Sequence, residues 1–328
     1  MLLPLSRRTI KAAMNRRKHR PDQNHRSGNE NRGAPHGSPH RADSAGKPRH
    51  GGPAHTTAHG SGPAPERRPQ QSRGKSHGKA ANKGALWLYG QHACLAALAN
   101  PDRYIHRLIL TREAFAQHGG ALPASAPQPE ILDRARLDGL LPPGAVHQGI
   151  AVQVEPLEDP GVESLAEAPA SGRDIVLLLD QVTDPRNIGA ILRSAAAFGA
   201  RAVIVTDRHA PEATGALAKA ASGGLEAVPM LRVGNLVRTL DLLAEYGFWR
   251  VGLAADADRD LAAAVTDVKR LALVMGAEDE GLRRLTAEHC DFLAHLPMPG
   301  LGPDAVVESL NVSVAASIAL YEAAKRSS

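Results

Sequence analysis

Five apolar runs separated by helix-like segments constrain the fold of this chain most. The run DIVLLLD at 174–180 is continuously apolar up to its acidic ends, as in strands that are buried on both faces of a sheet. Further strand-like runs follow at 201–206, 248–254, 270–276 and 292–298. Because strands alternate with helices throughout, the pattern predicts an α/β fold with a mostly parallel sheet covered by helices on both faces.

Helical spacing fills the intervals between these runs. Helices are predicted to begin near Asn187 and to cover the ranges 213–221, 235–246, 281–290 and 310–325. In the last of these, Val314, Ile318 and Tyr321 recur at i, i+4 and i+7, which is the spacing of one helical face. This helix therefore carries an apolar stripe.

Residues 85–157 show a shorter alternation that predicts a small α/β domain. A strand is expected at 106–111, a helix over 129–141 and a closing strand at 147–157. A segment rich in Pro, Gly, Glu, Ala and Ser follows and is typical of a linker. The predicted organisation is a tail at 1–84, a small domain at 85–157, a linker at 158–172 and a larger domain at 173–328.

Residues 1–84 differ from the rest of the chain in charge. They hold 18 of the 39 Lys and Arg but only 4 of the 34 Asp and Glu, a net charge of +14, which leaves −9 for residues 85–328. A segment so poor in large apolar residues cannot bury enough surface to offset the entropy of ordering, so we predict a disordered tail. Its charge suits non-specific attraction to RNA, and a solvated tail that only aids solubility is the alternative.

Cysteine usage and hydropathy predict a cytoplasmic protein without a metal site or a membrane span. Cys94 and Cys290 are too few and too distant for a disulfide framework or a zinc site. The histidines of the tail are irregularly spaced, so no metal is predicted there either. No apolar run approaches roughly 20 residues, the length of a membrane-spanning helix, and the basic N-terminus lacks the apolar core of a secretory signal. An organellar transit peptide remains an alternative.

Three polar segments follow predicted strands, which is where open α/β sheets place their ligand sites. The first, DQVTDPRNIGAILRS at 180–194, joins a strand to a helix. Pro185 makes this turn rigid, and Asn187 is predicted to cap the helix. Arg193 lies off the apolar stripe of that helix, so it is available to face a site, with a solvated surface arginine as the alternative.

The second segment, GAEDEGL at 276–282, follows the buried strand that ends at Gly276. Glycine at a strand end permits a ligand to approach the backbone closely. Glu278 and its two acidic neighbours lie just before a helix. Acids at that position also complement the helix dipole, which is a sufficient reason for them without any ligand.

The third segment, ESLNVSVA at 308–315, follows the strand-like run at 292–298. Ser309 and Asn311 are positioned to cap the terminal helix, or to contribute polar groups to a site at the strand end. The chain has neither a GxGxxG fingerprint after a strand nor a Walker-type phosphate loop, which excludes the common dinucleotide and NTPase signatures.

Taken together and in this order, the three segments resemble the motifs of the SpoU (TrmH-type) RNA ribose methyltransferases of the SPOUT superfamily. The segments YGQHACLAAL and HQGIAV resemble the substrate-binding domain, similar to ribosomal protein L30e, that one branch of the family carries. The resemblance covers residues 86–326 and leaves the tail outside. Asp279 stands where the family usually has Gly, and the stretch between Met298 and Glu308 is longer than usual.

The resemblance implies a deep trefoil knot in the C-terminal domain, a homodimer, and S-adenosylmethionine as the methyl donor. It implies a catalytic set made of Arg193, Asn187, Glu278, Ser309 and Asn311. It implies a cofactor-binding set made of Gly276, Leu296, Met298 and Leu310. It implies no metal.

The implied reaction is methyl transfer to a ribose 2′-hydroxyl of RNA, with a guanosine of 23S rRNA as the expected target. The same chemistry on tRNA is the alternative, although the L30e-like domain favours rRNA. A non-catalytic RNA-binding protein is an alternative of another class. Arg193 is the residue implied to activate the hydroxyl, either as a base or by stabilising the alkoxide.

Overall fold

The computed structural model describes residues 85–208, 211–278, 280–300 and 309–325. The tail predicted to be disordered, Asp279 and most of the long stretch before the third motif lie outside these ranges. Within them the chain forms two sheets that belong to one compact unit by their contacts. We call residues 85–157 the small lobe and the described residues from 173 onward the large lobe. The domain boundaries themselves stay a prediction.

The small lobe is built on a four-stranded sheet of order β1-β4-β2-β3. Strand β4 pairs antiparallel with β1 and β2, and β3 runs parallel to β2. The strands are Leu86–Tyr89 (β1), Ile105–Leu110 (β2), Glu130–Ile131 (β3) and Ile150–Val154 (β4). The helices are Gln91–Ala99 (α1), Arg112–His118 (α2) and Arg134–Asp138 (α3).

The helix predicted over 129–141 is wrong over its first part, where strand β3 forms instead. Asp133 explains the difference because its side chain accepts a hydrogen bond from the Arg136 backbone N at 2.8 Å. An N-cap residue takes extended backbone angles, so the helix begins only after it. The closing strand is also shorter than predicted, since Gln148 and Gly149 have positive φ angles of 56° and 81° just before β4.

The large lobe is built on a six-stranded sheet of order β10-β8-β9-β5-β6-β7, and every neighbouring pair is parallel. The predicted mostly parallel α/β sheet is therefore confirmed. The strands are Asp174–Leu179 (β5), Ala202–Thr206 (β6), Met230–Val233 (β7), Trp249–Leu253 (β8), Arg270–Met275 (β9) and Phe292–Ala294 (β10). The sequence pattern did not indicate β7, because four residues are too few for a clear alternation.

Seven helices of the large lobe lie within the described residues. They are Pro185–Ala197 (α4), Gly215–Ala221 (α5), Gly224–Ala227 (α6), Leu236–Glu245 (α7), Leu261–Ala264 (α8), Arg284–Glu288 (α9) and Val312–Lys325 (α10). Helices α6 and α8 were not predicted, and α9 is half as long as expected. Helix α6 is separate from α5 because Ser222 adopts a left-handed φ of 48° between them.

The central strand β5 is buried on both faces, as its apolar run predicts. All six of its residues are buried. Ile175 and Leu177 pack in a core cluster that includes residues of α4 and α10, whereas Val176 and Leu178 pack in a second cluster with residues of α7. Alternate residues of one strand therefore serve the two helical layers.

The terminal helix α10 is buried on one side only. Its apolar stripe of Val314, Ile318 and Tyr321 is 46%, 39% and 49% exposed, while its opposite face packs in the core. A hydrogen bond of 2.7 Å between the hydroxyls of Ser194 and Ser317 joins α10 to α4. The stripe is thus partly exposed to solvent, and within it the ring of Tyr321 packs edge-on against Phe198 with 6.0 Å between the centroids.

The segment predicted as a linker at 158–172 packs on the large lobe over part of its length. Val162 and Leu165 are buried in the second core cluster at the two ends of a 3-10 turn. Arg201 and Arg270 donate hydrogen bonds to backbone carbonyls of this turn. The segment is therefore fixed to the edge of the sheet at which the strands begin.

Both cysteines are free thiols. Burial raises the pKa of Cys94 far above its usual range. Burial is also the main cause that raises the pKa of Cys290 to about 12, with Arg250 opposing the shift and Asp291 and Asp180 adding to it. Neither is a candidate nucleophile, because the reactive form of cysteine is the thiolate.

Among the described helices, none is long and apolar enough to cross a membrane.

Candidate active site

A cleft of about 150 Å³ lies beyond the carboxyl ends of β8 and β9. The strand order reverses between β9 and its neighbour β5. The cleft therefore lies beside a reversal point of the kind at which open α/β sheets bind ligands. The four residues predicted to bind a cofactor all line this cleft, namely Gly276, Leu296, Met298 and Leu310. The structure thus collects them from two separate motifs and the segment between them.

Gly276 is required by a close approach of two backbone segments. A Cβ at this position would lie 2.0 Å from the carbonyl carbon and 2.2 Å from the carbonyl oxygen of Gly281. The loop between them is closed by two backbone hydrogen bonds that join Ala277 and Gly281 at 3.1 and 3.0 Å. Backbone, rather than side chain, therefore forms the wall of the cleft here.

Asn311 connects two other predicted site residues. Its Nδ2 donates to Asn187 Oδ1 at 3.1 Å and to Glu278 Oε2 at 3.3 Å. Its Oδ1 accepts from the backbone N of Ser313 at 3.0 Å, which caps α10. One amide therefore caps the helix with its oxygen and joins the first and second motifs with its nitrogen.

The prediction that Asn187 caps its helix is wrong. Asp184 is the N-cap of α4 and accepts a hydrogen bond from the Arg186 backbone N at 2.8 Å. Pro185 occupies the first helical position, where its missing N–H is not needed. Asn187 lies inside the first turn, and its side chain is consequently available to Asn311.

The structure places Ser309 and Glu278 in the lining of the cleft but leaves Arg193 outside it. Arg193 is exposed, and no described residue forms a hydrogen bond or ion pair with its guanidinium. It follows Asn187 by six residues, which is about 9 Å along the helix and a different face. Its predicted position off the apolar stripe of α4 is confirmed. Within a single chain, however, Arg193 does not lie with the other four residues of the predicted catalytic set.

Two parts of the site were not predicted from the sequence. Leu253, Ala254 and Ala255 line the cleft from the end of β8. Asp180, fully buried just after β5, accepts a hydrogen bond from Nε of Arg283 at 2.7 Å and forms an ion pair with its Nη2 at 2.6 Å. This contact joins the first motif to the residue that follows the second. A carboxylate directly after a buried apolar strand needs a charged or hydrogen-bonding partner. The position of Asp180 in the sequence therefore indicates that such a partner exists.

The described residues contain no group of three or more His, Cys, Asp or Glu that could hold a metal ion. The polar groups around the cleft are amides, a hydroxyl and one carboxylate. The parallel α/β sheet and the three motifs at its strand ends are the arrangement of a methyltransferase-type α/β enzyme. Backbone and apolar side chains form most of the lining of the cleft.

Comparison with known families identifies the chain. Residues 174–321 match the SpoU rRNA Methylase family, and residues 87–160 match the family described as RNA 2′-O ribose methyltransferase substrate binding. The chain belongs to the SpoU rRNA methylase family, as the three motifs predicted.

Relatives and solved structures agree with this assignment. The 23S rRNA (guanosine-2′-O-)-methyltransferase RlmB of Escherichia coli (strain K12) is 42% identical over 74% of this chain and 98% of its own length. The RlmB of Pseudomonas aeruginosa is 40% identical over 72% and 94%. The AdoMet complex of the SpoU methyltransferase AviRb from Streptomyces viridochromogenes has a TM-score of 0.62 at 24% identity, covering 77% of this chain and 94% of that one. The structure of a putative RNA methyltransferase of the TrmH family from Porphyromonas gingivalis has a TM-score of 0.58 at 26% identity, with 75% and 91% covered.

Proposed function

We propose that this protein transfers a methyl group from S-adenosylmethionine to the ribose 2′-hydroxyl of a guanosine in 23S rRNA. The observation that carries the proposal is the 42% identity to an enzyme named for this reaction, over 98% of that enzyme's length. The contact of Asn187, Glu278 and Asn311 beside the cleft supports it, because these are the residues that the family resemblance implied. The substrate is RNA of the ribosome, so we expect the protein in the cytoplasm.

The cleft fits the proposed methyl donor. Its lining is largely apolar, from Leu253, Leu296, Met298 and Leu310, which suits an adenine ring. At Gly276 the missing side chain lets the Gly281 backbone approach closely, so backbone forms this part of the cleft wall. When bound, S-adenosylmethionine supplies an electrophilic methyl group. The residues of this chain hold it, exclude water and orient the hydroxyl that attacks it.

The polar cluster would orient the ribose and its activating group. Glu278 accepts from Asn311, so that its carboxylate is held in one orientation beside the cleft. Ser309 offers a hydroxyl in the same lining. Arg193 is proposed to act on the 2′-hydroxyl in one of two ways. It stabilises the alkoxide, or it first loses a proton while held near a substrate phosphate and then accepts the proton of the hydroxyl. Stabilisation is the simpler of the two, because a guanidinium is protonated in nearly all proteins.

A homodimer would complete this site. Within one chain Arg193 lies outside the cleft. It is carried by α4, which packs against α10, and α10 presents the exposed apolar stripe on its other side. We propose that Val314, Ile318 and Tyr321 form the contact with a second copy, and that this contact brings Arg193 of the partner into reach. The trefoil knot that the family resemblance implies belongs to the same proposal.

Replacing Ile318 by aspartate should turn the dimer into a monomer, because a carboxylate would be buried in an apolar contact. Multi-angle light scattering after size exclusion would show the mass fall by half. The matched control is Leu285→Asp, since Leu285 is 52% exposed on α9, away from the stripe. A variant at Ile318 that keeps the mass of the wild type would contradict the proposed interface.

Deleting residues 1–84 should weaken RNA binding in a salt-dependent way and leave the fold intact. The tail carries a net charge of +14 and would release counterions from RNA. The slope of log K against log salt should become shallower by about 0.7–0.9 for each phosphate that the tail neutralises in the full-length protein. Filter binding over a salt series measures this, and an equal slope with and without the tail would leave the tail without this role.

Methylation of rRNA from a strain that lacks the homologous enzyme tests the proposed function. We expect labelled methyl groups to be transferred to one guanosine of 23S rRNA, located by primer extension at low nucleotide concentration. Transfer to tRNA instead would favour the alternative substrate. Binding of RNA without any transfer, in a protein that binds S-adenosylmethionine, would favour a non-catalytic RNA-binding protein.

A further inference from the structure

The two lobes share an apolar core along α5. Leu88 and Ile150 of the small sheet pack in the same cluster as Leu217 and Ala221 of α5. Apolar contact of this kind is favourable but not directional, so it holds two surfaces together without fixing their angle. A directional contact is needed to set the orientation of one lobe on the other.

Such a contact is formed by Arg103 of the small lobe and Glu226 of α6. The guanidinium donates from Nη2 to Glu226 Oε1 at 2.7 Å and from Nε to Oε2 at 3.1 Å. The two side chains are only 2% and 7% exposed. Asn100 adds a third hydrogen bond to Glu226 Oε2 at 2.8 Å, and Arg103 also donates to the Glu155 carbonyl at 2.7 Å.

The geometry of this pair is better suited to orientation than to stability. A buried ion pair adds little net stability, because desolvation offsets much of the attraction. A bidentate arginine–carboxylate pair does restrict the angle between its partners, because both groups are planar and two parallel hydrogen bonds must form. Glu226 and Arg103 thus restrict rotation between the lobes.

Helix α6 transmits this orientation to Arg193. It begins at Gly224, where a Cβ would lie 2.7 Å from the Leu192 carbonyl oxygen and 2.9 Å from the Arg193 backbone N. There is no space for a methyl group between α6 and the backbone of α4. Glu226 is two residues further along this short helix, so the small lobe is attached to the backbone that carries Arg193.

We propose that Glu226 is a positioning residue that, through Arg103, fixes the substrate-binding lobe relative to Arg193. RNA held by the small lobe then presents its ribose at a constant place. The inference rests on the proposed function, since a positioning role requires RNA on one lobe and chemistry on the other. Glu226 itself touches neither.

The test compares Glu226→Gln with a matched control in the full-length protein. The substitution keeps the shape of the side chain but presents an NH₂ group to Arg103 and Asn100. Glu130→Gln is the control, because Glu130 forms an equally bidentate pair with Arg107, at 2.7 and 2.8 Å, within the small lobe alone. Spin labels on Ser125→Cys and Glu245→Cys, both exposed, report the distance between lobes in a Cys290→Ser background.

We expect Glu226→Gln to broaden the distance distribution and to lower kcat/KM for 23S rRNA about tenfold to a hundredfold, the cost of misplacing a substrate by roughly an ångström. S-adenosylmethionine affinity, measured by calorimetry, should not change. Glu130→Gln should match the wild type in its distance distribution, its kcat/KM and its S-adenosylmethionine affinity. Should the single variant fail to fold, Arg103→Met combined with Glu226→Leu removes the pair without leaving a buried charge.

An unchanged distance distribution in the variant would overturn the proposal. So would a broadened distribution with unchanged kcat/KM, because the pair would then be structural only. A wild-type protein without methyl transfer would count against the proposed function alone, since the distance measurement still decides whether the pair fixes the lobes.

Discussion

Replacing Arg193 by alanine should lower the rate of methyl transfer by about a hundredfold to a thousandfold while S-adenosylmethionine binds as before. An electrostatic stabiliser of a developing oxyanion contributes a factor of this order. Donor binding should persist, because Arg193 does not line the cleft that Gly276 and Leu310 help to form. Single-turnover methylation and calorimetry measure the two quantities separately.

The control for this variant is Arg238→Ala. Arg238 is an exposed helical arginine on α7, so the change in charge and side-chain length is the same. It should leave the rate unchanged. Equal rates for Arg193→Ala and the wild type would remove Arg193 from the chemistry. If Arg193→Ala is inactive as expected, a mixed dimer that pairs it with an inactive cofactor-site variant should regain activity only if the arginine acts across the interface.

Replacing Gly276 by alanine should weaken S-adenosylmethionine binding by about tenfold to a hundredfold, which corresponds to roughly 1–3 kcal/mol. The added methyl group would collide with the backbone of Gly281 and Leu282, at 2.0 to 2.4 Å. Backbone cannot move aside as a side-chain end can, so the loop that holds Ala277 to Gly281 must shift. Calorimetric titration gives the affinity, and circular dichroism verifies the fold.

Gly234→Ala is the control for the change from glycine to alanine. A Cβ at Gly234 would meet nothing within 4 Å, and its φ is not positive. It should bind the donor like the wild type. If Gly276→Ala also bound the donor with wild-type affinity, the wall at Gly276 would not be part of the binding site.

Prediction from the sequence was most reliable where one strong local signal acts. The run at 174–180 predicted a strand buried on both faces, and all of Asp174–Leu179 is buried. Shorter elements such as β7 and α6 escaped, because a few residues carry no periodic pattern. The small helix α3 was misjudged for a related reason. Its start depends on the Asp133 cap rather than on the spacing of apolar residues.

The candidate site shows a similar division. The motifs predicted which residues matter near strand ends, and Glu278, Asn187 and Asn311 do lie in contact. Their partners were not predictable, since Asn311 reaches residues 124 and 33 positions away. The capping role assigned to Asn187 belongs to Asp184. Two polar residues three positions apart compete for one N-cap, and only the backbone angles decide between them.

The amino-acid sequence by itself determined the α/β class, the order of the three motifs and the membership of the SpoU family. These follow from patterns that are local in the chain, namely apolar runs, turn residues and motif strings. Only the tertiary structure decided that Arg193 lies outside the cleft of its own chain, that the stripe of α10 is exposed, and that Arg103 pairs with Glu226. Each of these depends on contacts between residues far apart in the chain, which the packing of sheets and helices creates and no local pattern encodes.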